Sequence, residues 1–137
     1  ETSDGRYLIT LTGVCRFLVR EELSVATPYR QVRAEFESYA EDLSVEAADI
    51  PAFDRRRFAG ALKRYLNRRE LDIDWETAET APLESLVTSL AMGLPFEPAE
   101  KQALLEAPTV ADRCEALTAL LEIDSLEADD DGPQSIQ

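Results

Sequence analysis

The sequence predicts an α+β chain in which a short β segment precedes a helical bundle, and three observations carry that prediction. Apolar and polar residues alternate with a period of two from Tyr7 to Val19. From Pro82 to Leu121 the apolar residues recur instead at helical spacing, in three blocks separated by residues that stop helices. Residues 40 to 53, rich in Asp, Glu and Ala and closed by Ile50-Pro51, read as a connection between the two patterns. The organisation expected is therefore residues 1–41 as strands, 42–53 as linker, 54–124 as bundle and 125–137 as a disordered acidic tail.

Each element follows from its own residues. Ser3-Asp4-Gly5 is a turn signal, and Asp-Gly is a hairpin cue when strands flank it on both sides. A first hairpin strand is accordingly expected upstream of Glu1. From Tyr7 to Val19 the odd positions form the apolar face, with Gly13 placed as a bulge or bend of the kind that lets a sheet curl. A loop over Glu21 to Thr27 and Pro28 lead into a second strand, Tyr29 to Phe36. Two or three strands are too few for an independent sheet, so these need cover.

Asp54 opens a helix to about Arg69 with Phe58, Leu62, Tyr65 and Leu66 on its apolar face and a set of Arg and Lys residues over the rest. Asp72-Ile-Asp-Trp75 reads as the turn into a short helix, Trp75 anchoring the core; it lacks the Gly and Glu spacing of a calcium loop. The third helix carries Pro82 in its opening turn and the stripe Leu83, Leu86, Val87, Leu90 and Leu94, with Gly93 placed as a left-handed terminator. The fourth runs from Pro98 to before Pro108, with Leu104 and Leu105 turned inward. Thr109 caps the fifth, Asp112 completes a box-like start, and its stripe is Val110, Cys114, Leu117, Leu120 and Leu121.

Composition excludes several chemistries. The chain of 137 residues has no histidine, which removes His-based acid-base catalysis, Ser-His and Cys-His nucleophiles and the usual zinc sites. It has no phosphate-cradling Gly-rich motif and no Gly-x-Ser-x-Gly elbow. The two cysteines, Cys15 and Cys114, lie in apolar rows and read as reduced thiols. Neither a membrane span nor a signal pattern is present, so a cytoplasmic protein is expected. The net charge of −14 is uneven: residues 1–69 hold 12 basic and 11 acidic side chains, whereas residues 70–137 hold 2 and 17. The acidic half repels nucleic acid and anionic membrane. The basic residues of 54 to 69 invite a nucleic-acid reading, set against pairing with the acidic helices downstream.

Three stretches carry a resemblance. Arg6-Tyr-Leu-Ile-Thr-Leu-Thr-Gly-Val-Cys-Arg-Phe17, then Pro28-Tyr29, then Pro95-Phe-Glu-Pro-Ala-Glu-Lys-Gln-Ala-Leu-Leu-Glu106 with Arg113 and Leu117, closely resemble the N-terminal domain of Lon proteases, and more narrowly the stand-alone bacterial proteins made of that domain. The positions that carry it are Gly13, Arg16, Glu100, Lys101, Gln102, Leu104, Leu105 and Glu106. The resemblance implies a partial PUA-like β pseudo-barrel followed by the bundle, and a part in recognising unfolded or tagged polypeptides and in assembly. It also implies that the front of the barrel lies before Arg6, and that the AAA+ and Ser-Lys protease parts of a full Lon are lacking.

The expected function is a non-catalytic protein-recognition or adaptor module, without cofactor, that binds polypeptide substrates or partner proteins. The candidate peptide-binding residues are Tyr7, Phe17, Tyr29 and Phe36, near open strand edges where an extended peptide adds a strand. Core packing of these aromatics is the plainer alternative. The same open edges predict a dimer or swapped assembly. From another class, the alternative is a nucleic-acid-binding PUA-like domain that uses the basic helix 54–69.

Overall fold

Two strands, a 3₁₀ helix and five α-helices follow one another along the chain, in a computed structural model that describes residues 4–44 and 53–130. They fall into two units, Glu1–Glu46 and Ala47–Gln137. The α+β class predicted by the sequence holds.

In the first unit, β1 (Leu18–Leu23) pairs antiparallel with β2 (Gln31–Glu35), from Leu18 opposite Glu35 to Leu23 opposite Gln31. The 3₁₀ helix Glu37–Leu43 follows, broken at Tyr39. Asp4-Gly5 does turn, with Gly5 at φ +79°, a backbone that glycine adopts at no steric penalty. Three expectations are corrected here. The strand expected from Tyr7 begins only at Leu18, because no second strand lies beside residues 7 to 17 among the described residues to take up their backbone groups. The expected loop from Glu21 is the second half of β1, and the shift of register falls between Val19 and Glu21, not at Gly13. The linker expected from 42 starts later, since Asp42 and Leu43 belong to the 3₁₀ helix; residues 45–52 of it lie outside the described residues.

The second unit is built around one long helix. Helices α1 (Arg55–Arg68), α3 (Leu83–Gly93) and α4 (Pro98–Glu106) all pack against α5 (Val110–Asp130), and α2 (Trp75–Thr80) is a short connector. The expected stripes form the core: Phe58, Leu62, Tyr65 and Leu66 from α1, Val87, Leu90 and Leu94 from and after α3, Leu104 from α4, and Cys114, Leu117 and Leu121 from α5. Each buried leucine contributes about 1.5–3 kcal/mol relative to exposure. Trp75, Leu83, Leu86, Val110 and Leu120 pack on its margin, so Trp75 is a partly buried flank of the core and not its anchor.

The helix ends show local chemistry at work. Asp54 accepts the N–H groups of Arg56 and Arg57 at 3.0 and 2.9 Å, and Asp74 accepts that of Thr77 at 3.1 Å. The box at Thr109 is present in both directions, Asp112 N–H to Thr109 Oγ1 and Thr109 N–H to Asp112 Oδ2, each 3.1 Å. Glu100 closes another by accepting the Glu97 N–H at 2.8 Å. Gly93 is not the left-handed terminator expected for α3: it is the last residue of the helix, and extended Leu94 follows it. A left-handed residue ends α1 instead of α3: Glu70, φ 53°, where Leu71 N–H reaches Leu66 O and Glu70 N–H reaches Asn67 O. Leu105, expected inside, is 53% exposed: it neighbours Leu104, and adjacent helical residues point about 100° apart, so one of the two faces out. Helix α5 continues to Asp130, into the stretch expected to be a disordered tail; residues 131–137 lie outside the described residues.

Candidate functional site

Of the four aromatics predicted to bind peptide, the first unit brings two together. The register that sets Leu18 opposite Glu35 places Phe17 opposite Phe36 one step further on. Their ring centroids are 5.7 Å apart with planes tilted by 49°, a favourable aromatic geometry. Each ring keeps about half its surface in solvent, 47% for Phe17 and 54% for Phe36. Tyr7 and Tyr29 are more exposed still and make no ring contact with the pair among the described residues.

What holds the pair is polar. The Arg16 guanidinium donates from Nε to Asp42 Oδ2 at 2.8 Å and from its terminal nitrogen to Oδ1 at 2.7 Å, while the Arg16 backbone N–H also donates to Oδ2 at 3.0 Å. The same guanidinium lies 4.2 Å from the centre of the Tyr39 ring. The hydrogen bonds that Arg16 donates to Asp42 hold its pKa above the ordinary value despite partial burial. On the far side of Phe36, Glu35 accepts the Ser38 N–H at 2.9 Å and its hydroxyl at 3.0 Å, and the Ser38 N–H is the main reason the carboxyl titrates lower than usual. Phe17 and Phe36 are thus each fixed by the residue beside them.

Around this pair the unit is unusually open. Among residues 4–44 none is buried. Leu8, Ile9, Leu11 and Val14 are between 72% and 89% exposed, and in a two-stranded sheet each strand keeps one unpaired edge. The strands' charges pair across them: Arg20 with Glu35, Arg30 with Glu22 and Arg33 with Glu21. Being exposed, these pairs fix register more than they stabilise.

The resemblance-carrying residues of α4 have structural roles. Glu100 caps α4, Lys101 Nζ donates to the Met92 carbonyl near the end of α3 at 2.9 Å, and Gln102 donates to Glu106 at 2.7 Å. Leu104 is core, and buried Arg113 donates from Nε to its carbonyl at 3.2 Å. Gly13 is exposed, with nothing near the place a side chain would take.

The basic helix is partly neutralised. Arg57 pairs with Glu122 at 2.7 Å and Glu115 at 3.5 Å, and Asp124 takes Arg68 together with Arg69. The Arg57 bond holds Glu122 below the usual carboxylate range. Burial pushes the Cys114 thiol up to about 11, so it is held as the inert thiol. Among the described residues no three of His, Cys, Asp and Glu gather to hold a metal ion, and no helix is long and apolar enough to cross a membrane.

Sequence reasoning missed Asp42 and Tyr39, the partners of Arg16. The pairing spans 26 positions, and only a compensating acid near the second strand's end would have pointed to it.

No curated protein and no solved structure matches the chain. The strands, helices α1 to α4 and the first part of α5 nevertheless fall within residues 1–122, which match the family model of the ATP-dependent protease La (LON) substrate-binding domain, and the chain belongs to that family.

Proposed function

We propose that the chain is a non-catalytic recognition module that takes hold of extended, apolar stretches of unfolded or tagged polypeptides through its first unit. The observation that carries this reading is the open surface of residues 4–44, where no residue is buried and the Phe17–Phe36 pair is held half in solvent by polar contacts. An unfolded segment adds a strand to a free edge of β1 or β2, supplying the backbone hydrogen bonds that the edge lacks, and lays side chains on the two rings. Covering two such side chains contributes about 3–6 kcal/mol before the loss of freedom on association, the equivalent of no better than about 40 μM, so the strand's backbone hydrogen bonds must offset that loss and capture is weak. Weak, sequence-tolerant capture suits a module that passes clients on, as an adaptor does. Absence of histidine and the reduced cysteines support a non-enzymatic role in the cytoplasm.

The test is titration of a permanently unfolded, carboxymethylated protein into the wild type and into the double variant Phe17→Ser with Phe36→Ser. Affinity should fall at least about tenfold in the variant, the equivalent of about 1.4 kcal/mol. Equal affinity of the two proteins excludes the aromatic pair as the site.

A further inference from the structure

The second unit carries a groove of its own, between α1, α2 and α3, with a volume of about 470 Å³. Its floor is apolar: Phe58, Leu62, Leu83, Leu86 and the half-buried face of Trp75. Its rim is cationic: Arg55, Arg56 and Lys63, against one acid, Glu79. We propose that this groove binds a second kind of polypeptide segment, one that carries large apolar side chains flanked by aspartate or glutamate.

Charge complementarity picks out the occupant. Residues 70–137 hold 17 acidic side chains against 2 basic ones, and α1 lies beside them. Those acids take Arg57, Arg68 and Arg69 of α1 and its end. They leave Arg55, Arg56 and Lys63 without an ion pair among the described residues. Lys63 meets only an aromatic face, its Nζ 5.3 Å from the centre of the Trp75 ring. Arg55 and Arg56 stand in the first turn of α1, where the helix dipole disfavours cations and the Asp54 cap, already accepting the Arg56 and Arg57 N–H groups, offsets this only in part. A carboxylate bound there relieves that repulsion.

Spacing favours a polypeptide over a single anionic head group. Arg55 and Lys63 are eight positions apart on α1, about 12 Å along its axis, too far for one carboxylate to reach both. A peptide with acids on either side of an apolar pair meets both ends while its side chains enter between them. Gly60 is part of the groove's lining, and a Cβ atom built there would lie 3.5 Å from a terminal nitrogen of Arg64, an ordinary contact.

Trp75 is the chain's one tryptophan, so it reports on this groove alone. The probe is the blocked, Trp-free peptide Asp-Glu-Leu-Glu-Phe-Leu-Asp-Glu, titrated while Trp75 emission is followed. A saturable blue shift is expected, weakened severalfold when salt rises from about 50 to 300 mM because the rim charges become screened. It should disappear in Gly60→Phe, which fills the groove, and in Arg55→Glu with Arg56→Glu, which changes exposed residues only. The Phe17→Ser with Phe36→Ser protein should give the wild-type shift, so this groove and the surface on the first unit stand or fall separately. The proposal is overturned by no shift, by an equal shift with lysine in place of every acid, or by an equal shift with laurate. A shift that grows with protein concentration alone would assign the groove to a second copy of the chain and overturn it as well.

Discussion

Arg16 and Asp42, 26 positions apart, meet in a two-point clamp that ties the segment ahead of β1 to the end of the 3₁₀ helix. In a unit where no described residue is buried, a partly buried charge-assisted pair takes over part of the work that a core performs elsewhere. Lysine has the charge but neither the fork nor the flat face that lies over Tyr39. Arg16→Lys is therefore expected to open the first unit by about 1–2 kcal/mol while the bundle's melting stays the same. Native-state hydrogen exchange resolves this: faster exchange limited to residues 15–43 agrees, and unchanged exchange rules the clamp out as a determinant.

Leu104 and Leu105 are neighbours with opposite environments, 1% and 53% exposed. Leu104→Ala should destabilise by about 2–5 kcal/mol through the cavity it leaves, and Leu104→Asp should unfold the bundle. Leu105→Ala should stay within about 0.5 kcal/mol. Urea melts of the variants check the order. Glu100→Ala, which removes one half of the α4 cap, should lie between them at about 0.5–1 kcal/mol.

Glu70 ends α1 at φ 53°, in a conformation that costs an ordinary residue about 1–2 kcal/mol. Glycine enters it freely, so Glu70→Gly is expected to raise stability by about 0.5–1 kcal/mol once the added freedom of the unfolded chain is subtracted. A lower melting temperature for this variant contradicts the assignment of the cap.

The Tyr65 hydroxyl is buried, with no hydrogen-bond partner among the described residues. Burial is also the main cause of its raised pKa. Removing a polar group that satisfies nothing should be neutral or stabilising, up to about 1 kcal/mol, and the ring would keep its 5.5 Å contact with Phe96. Calorimetry of Tyr65→Phe decides it, and a clear loss of stability would reveal a partner for the hydroxyl.

Acid should act on the α1–α5 seam through Glu122. Its folded pKa is depressed by Arg57, so its contribution is present above the unfolded value of about 4.3 and is lost as pH falls through the lower folded one. Wild type should therefore melt above Glu122→Gln at pH 7, with the difference shrinking below about pH 4. Circular dichroism melts across that range test the sign; a gap that widens in acid refutes it. With no histidine in the chain, no imidazole step should appear between about pH 5 and 8.

The bundle was legible because its information is local. The stripes of α1, α3 and α5, the caps at Asp54, Asp74 and Thr109 and the stop before Pro108 each lie within one or two helical turns of the residues that determine them. Leu105 and Gly93 show where that reading stops. Two adjacent leucines do not reveal which one the bundle covers, and a glycine permits a left-handed turn without requiring it. In the first unit the alternation from Tyr7 was real, but a strand exists only beside a partner, and pairing is a relation between distant residues. The candidate site was legible to the same extent: Phe17 and Phe36 met because both sit next to β1–β2 pairing, whereas Tyr7 and Tyr29 have nothing to join them.

Helix α5 touches α1, α3 and α4, and it follows all of them in the chain. During synthesis the earlier helices leave the ribosome with their oily faces unmatched and must wait for the segment that closes them. The first unit emerges earlier still, so the surface proposed to bind polypeptides leaves the ribosome while the bundle is unfinished.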